Sequence, residues 1–222
     1  MKIDFMAWET EVWIEGTREF LDVLSAAITD AEPREKAALE RFARANDLEP
    51  EDYHSELEDL EHKFRHWLPR LSAYSVVILL HSVIETQLLA YAGRLKRVRR
   101  LALSVSDLKG KGLTAAKLYI IKAAGVEISN DLGWQELGNL QDLRNIIVHR
   151  RGRQGSSRDA VETVERLLRQ YTDDLSLTDD VNPAERELEI TFRLCRYFLE
   201  QAGAFFKRLC RAAGFQETAW KR

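Results

Sequence analysis

Residues 71–91 read LSAYSVVILLHSVIETQLLAY, the longest apolar run in the chain. Its polar residues, Ser75, His81, Ser82, Glu85 and Gln87, interrupt it too often for a membrane span. No Pro or Gly occurs between Leu71 and Tyr91, and the run is too long for a strand. It predicts a buried core helix that extends to Arg99 and lies at the centre of an all-α fold. The whole chain of 222 residues contains only 4 Pro and 11 Gly, which favours long helices over strands and turns.

On the N-terminal side, Trp8, Val12, Trp13, Phe20, Leu21, Leu24 and Ile28 follow a helical period that Gly16 interrupts. Pro33 is expected to open a second acidic helix to about Asn46, and Pro50 marks the next break. Leu57, Leu60, Phe64, Trp67 and Leu68 continue as helix, and Pro69 starts or kinks the central one. On the C-terminal side, Gly110-Lys111-Gly112 breaks the chain without the spacing of a P-loop. Asn130-Asp131 is placed to cap a helix ending near His149, and residues 159–171 predict another. Residues 175–178 and 188–191 alternate apolar and polar residues and predict a small hairpin. Thr191 is then a cap for a Phe-rich final helix. The expected architecture is an up-and-down helical bundle with extra N-terminal helices and at most one hairpin.

A net charge of −3 hides an asymmetry. Residues 1–62 hold 18 Asp and Glu against 6 Lys and Arg, whereas residues 63–222 hold 18 against 27. The expected division is therefore an acidic helical extension, 1–62, and a helical domain, 63–222. A basic body fits a polyanion, and the acidic front either shields it or is a solvated helical face. Cys195 and Cys210 form no CxxC or zinc pattern and suit a reducing cytoplasm. The N-terminus lacks the charge and apolar order of a signal peptide. No cofactor, no metal and no membrane association are expected.

The chemistry concentrates in Arg144-Asn145-Ile146-Ile147-Val148-His149, followed by Arg150, Arg151 and Arg153. Arg offers a permanent planar fork to phosphate oxygens, and His moves protons near neutral pH. His149 would serve as general acid or base, Arg144 would stabilise charge on the phosphorane, and Asn145 would orient phosphate or imidazole. Attack by the 2′-hydroxyl makes RNA the substrate and excludes DNA. Arg150, Arg151 and Arg153 would hold flanking phosphates, as would Arg97 and Arg100 after the central helix. On an ideal helix Arg144 and His149 point about 140° apart. Either the helix loosens near His149, or a second copy completes the site in a two-fold dimer.

The hexapeptide, the Leu-rich helix before it and the basic Gly-containing loop after it resemble the RxxxxH motif of HEPN domains. The resemblance covers roughly residues 70–213. It implies a metal-independent endoribonuclease, typically homodimeric, often a toxin or antiphage effector with an antitoxin or defence-system partner. Residue by residue, Arg144 and His149 match the catalytic pair, Asn145 the polar residue beside the Arg, and Glu85 an early-helix polar residue. Two further readings stand beside it. One is a catalytically silent helical module binding RNA or a partner protein, and the other an adaptor whose acidic N-terminal helices do the binding. His54, His62 and His66, with Glu58 and Glu61, are expected to be a solvated face, and His81 a satisfied core histidine.

Overall fold

The computed structural model describes residues 5–215. It is all-α with one two-stranded hairpin, as the apolar periodicities predict. The helices are α1 (Phe5–Ala45), α2 (Pro50–His62), α3 (Leu68–Arg99), α4 (Gly112–Leu118), α5 (Gly133–Arg150), α6 (Arg158–Gln170) and α7 (Phe192–Ala213). The strands are β1 (Leu175–Leu177) and β2 (Leu188–Ile190).

Pro33 does not divide the first helix: α1 runs 41 residues straight through it. Proline removes the bond to the Thr29 carbonyl, but Thr29 and Pro33 are both exposed, where water serves that oxygen. Pro50 instead occupies the first turn of α2, where an N–H would be unsatisfied anyway. Pro69 lies just after a π-helical turn, Lys63–Trp67, that joins α2 to α3 without a break, so it marks an irregular turn inside one helical run rather than a helix start.

The chain forms two compact units. The first comprises residues up to 18, 77–144 and those from 196 onward. Its core joins Ile84, Leu88, Tyr91 and Leu95 of α3 to Phe205, Phe206 and Leu209 of α7 and to Trp134, Leu137 and Leu140 of α5. Trp134 meets Phe205 edge-on with centroids 4.6 Å apart and donates its indole N–H to the Ile128 carbonyl at 2.9 Å. Asp131 starts α5, as its position before the Leu-rich helix suggests. Its carboxylate accepts the Gly133 N–H at 2.7 Å and both Nε and Nη2 of Arg208 at 2.5 and 2.8 Å.

The second unit comprises residues 19–76 and 145–195. β1 and β2 pair antiparallel in the register Leu175 with Ile190, Ser176 with Glu189 and Leu177 with Leu188. Alternation buries Leu175, Leu188 and Ile190 and leaves Ser176 on the open face. Thr191 then accepts the Leu194 N–H at 3.2 Å and caps α7. Ser157 caps α6 in the same way, at 3.3 Å from the Ala160 nitrogen.

The helical run Pro50–Arg99 is long and apolar enough, by composition, to cross a membrane, yet 56% of its most apolar window is buried inside the protein. That burial agrees with a core helix.

Candidate active site

α5 remains regular through His149 and stops one residue later. Arg151 and Gly152 take positive φ values of 56° and 83°, and the Gly152 N–H reaches back to the Ile146 carbonyl at 3.1 Å. This bond spans six residues, one more than a Schellman cap closes, and Arg151 takes the left-handed conformation usually given to glycine. Loosening of the helix thus begins only after His149. Arg144 and His149 keep their separation of about 140° around the α5 axis. Ile146 and Ile147 are buried, while Val148, His149 and Arg151 are exposed. An apolar pair thus anchors the last turn and leaves an imidazole and a guanidinium in solvent.

The loop after α5 is held to the hairpin. The Gly152 carbonyl accepts the Leu188 N–H at 2.9 Å, and the Gln154 N–H donates to the Arg186 carbonyl at 2.9 Å. A β-carbon on Gly152 would lie 2.1 Å from the Tyr74 hydroxyl, so only glycine fits there. Tyr74 donates to the Leu188 carbonyl at 2.6 Å, and burial raises its hydroxyl far above the usual range.

The three arginines of this segment have different fates. Arg150 donates to the Gln154 carbonyl and closes the turn. Arg153 pairs with Glu185 and lies 3.9 Å from Glu187, so its charge is largely met within the protein. Arg151 is exposed, with no hydrogen bond or ion pair among the described residues. Arg97 and Arg100 are exposed at the end of α3, where Arg99 donates to the Ala124 and Ala213 carbonyls and Arg94 stacks 4.1 Å over the Phe215 ring. Part of that basic cluster is therefore architecture.

In the first unit the polar residues of α3 form a cluster that the sequence did not reveal. His81 is 5% exposed, its Nδ1 stands 3.7 Å from the Glu85 carboxylate, and its buried Nε2 has no hydrogen-bond partner among the described residues. This corrects the expectation of a satisfied core histidine. Burial lowers the imidazole pKa from its ordinary value, Glu85 opposes that shift, and the Arg144 charge reinforces it. Glu85 and Arg144, singled out from distant parts of the chain, thus act on one imidazole. Gly112 makes room for the Glu85 carboxylate: its φ is +56°, and a β-carbon there would meet Oε1 at 2.3 Å. The Gly-Lys-Gly break serves this fit. The only sequence signal for the cluster was a lone His inside a very apolar helix, which does not distinguish a paired imidazole from an orphaned one.

Asn145 is half-buried and opens the second unit's share of α5. Of the other histidines, His66 meets Glu189 at 3.1 Å and stacks on His62 at 5.2 Å, while His54 meets Glu58 at 3.1 Å. Among the described residues, no three His, Cys, Asp or Glu side chains converge as they would around a metal ion.

No protein-family model matches the chain, and neither does any curated protein or solved structure with which it was compared.

Proposed function

We propose that the chain is a metal-independent endoribonuclease that resembles HEPN enzymes and acts in the cytoplasm as a toxin or antiphage effector. One observation carries this reading: an exposed histidine and an exposed, unpaired arginine close a helix whose preceding turn bears Arg144. In the proposed reaction His149 accepts the proton of the ribose 2′-hydroxyl or returns one to the leaving 5′-oxygen. The 2′-oxygen forms its bond to phosphorus as the 5′ bond breaks, leaving a 2′,3′-cyclic phosphate. Arg144 neutralises charge on the non-bridging oxygens, and Asn145 holds the phosphate. Helix geometry supports a composite site in which His149 of one protomer works with Arg144 of its partner.

The test is cleavage of labelled RNA in EDTA by the wild type, His149→Ala and Arg144→Ala. The wild type should yield cyclic-phosphate ends and both variants should lose at least about a hundredfold in rate. Two half-defective variants mixed together should regain part of the activity. Intact RNA with the wild type on every substrate, or unimpaired variants, would sink the reading. Arg151→Ala should lower the salt dependence of RNA binding by about one unit, while Arg153→Ala should leave it unchanged.

A catalytically silent module that binds RNA or a protein is the second reading. It is favoured by Arg144 and His149 pointing about 140° apart on α5, so that one chain alone does not bring the pair onto one phosphate. RNA binding without cleavage would establish it.

A further inference from the structure

α1 has one buried face, of mixed polarity, and one apolar face that is exposed. Thr10, Ile14, Thr17 and Leu21 are buried, at most 4% exposed. At about 100° per residue, Trp8, Val12, Trp13, Phe20 and Val23 fall on the opposite side within an arc of roughly 140°. Their exposures are 40, 47, 51, 41 and 66%. Single exposed apolar residues are ordinary, but a continuous stripe over four turns, with two Trp and a Phe, marks a contact surface. Gly16 sits in the middle of the stripe, and a β-carbon there would meet nothing within 4 Å. It leaves a notch between Val12 and Phe20 into which a partner side chain can descend.

Charge identifies the partner. Glu9 and Glu19 lie inside the stripe and are exposed, with no hydrogen bond or ion pair among the described residues. Glu15 and Asp22 border it, and no Lys or Arg lies inside the stripe between Trp8 and Val23; Arg18, beyond Glu15, is held by it at 2.5 Å. A second copy of α1 would bring Glu9 and Glu19 of both copies together with no Lys or Arg in the stripe to balance them. Anionic lipid or nucleic acid would be repelled for the same reason. We infer that the Trp8–Val23 face of α1 docks a basic amphipathic helix of a protein partner, its apolar side against Trp8, Trp13 and Phe20 and its Lys or Arg against Glu9 and Glu19. The surface is independent of the nuclease reading.

The test uses the full chain and two labelled synthetic helical peptides of identical leucine pattern, one flanked by lysines and one by glutamates. Fluorescence anisotropy should show the lysine peptide binding at least about tenfold tighter, with the difference shrinking in high salt. Trp13→Ser/Phe20→Ser and Glu9→Lys/Glu19→Lys should each weaken it by at least about tenfold while circular dichroism stays unchanged. Absence of binding, equal binding of both peptides, or binding indifferent to these substitutions overturns the proposal. So does tight binding to anionic vesicles through this face, or a dimer that Trp13→Ser/Phe20→Ser dissociates.

Discussion

Replacing Gly152 with alanine should be among the most damaging one-carbon changes available to this protein. The new methyl would sit 2.1 Å from the Tyr74 hydroxyl, 2.6 Å from Cζ and 2.7 Å from Cε2, on a residue with φ of +83°. The left-handed backbone alone costs roughly 1 kcal/mol for a residue with a β-carbon. Relief requires Tyr74 to move, and repacking an overfilled core costs about 1–3 kcal/mol. Tyr74 is buried and donates to the Leu188 carbonyl, so its displacement forfeits a further ~1–2 kcal/mol. The total is about 3–6 kcal/mol. Urea denaturation followed by circular dichroism should show the midpoint falling with little change in slope. Gly138→Ala is the control. It lies within α5 with nothing within 4 Å of its β-carbon, and it should be neutral or stabilising by up to about 1 kcal/mol. Tyr74→Phe should partly rescue Gly152→Ala, because it removes the 2.1 Å contact but leaves Cζ at 2.6 Å. If Gly152→Ala costs less than about 1 kcal/mol, the packing of Tyr74 over this turn is wrong.

Two further substitutions probe the first unit. The His81 pKa is lowered in the folded chain, so the unfolded chain binds that proton more readily; its contribution to stability is complete above about pH 6.5 and declines as pH falls through the lowered value. His81→Leu, which removes the orphaned Nε2 and the titration beside Glu85 and Arg144, should leave the protein as stable or up to about 2 kcal/mol more stable at pH 7. It should also flatten the decline between pH 7 and 5, and an unchanged decline in urea titrations would exclude His81 as its source. Asp131→Ala should destabilise by about 2 kcal/mol, through loss of the α5 cap and the Arg208 pair. Hydrogen bonding from Arg208 lowers the Asp131 pKa, so this contribution is present above about pH 4 and is lost as pH falls through the lowered value. Parallel acid limbs in wild type and Asp131→Ala would contradict it.

Much of the architecture follows from local rules. The hairpin strands, the Thr191 and Asp131 caps, and the role of Pro50 all depend on residues close in sequence. Period-two alternation and N-cap chemistry report such residues directly. Pro33 misled because its penalty depends on whether the deprived carbonyl faces water, which is a property of the folded surface. In the candidate site, Arg144 and His149 were legible as residue types at a fixed helical spacing. The consumption of Arg150 and Arg153 was not, because their partners are the Gln154 carbonyl across a turn and the acids of residues 185–187.

Periodicity along the chain settles where helices lie and which residues carry titratable or cationic groups, since helical spacing requires only neighbours within a turn or two. Packing decides which of those groups stay available. His81 is orphaned by burial in the core of its unit, and Arg153 is neutralised by Glu185, 32 positions away in sequence. The same holds for α1, whose apolar positions read in sequence as a single helical series. Only burial of Ile14 and Leu21 leaves Trp8, Trp13 and Phe20 exposed, because a helix packed on one side buries a single stripe and leaves the other to solvent or a partner.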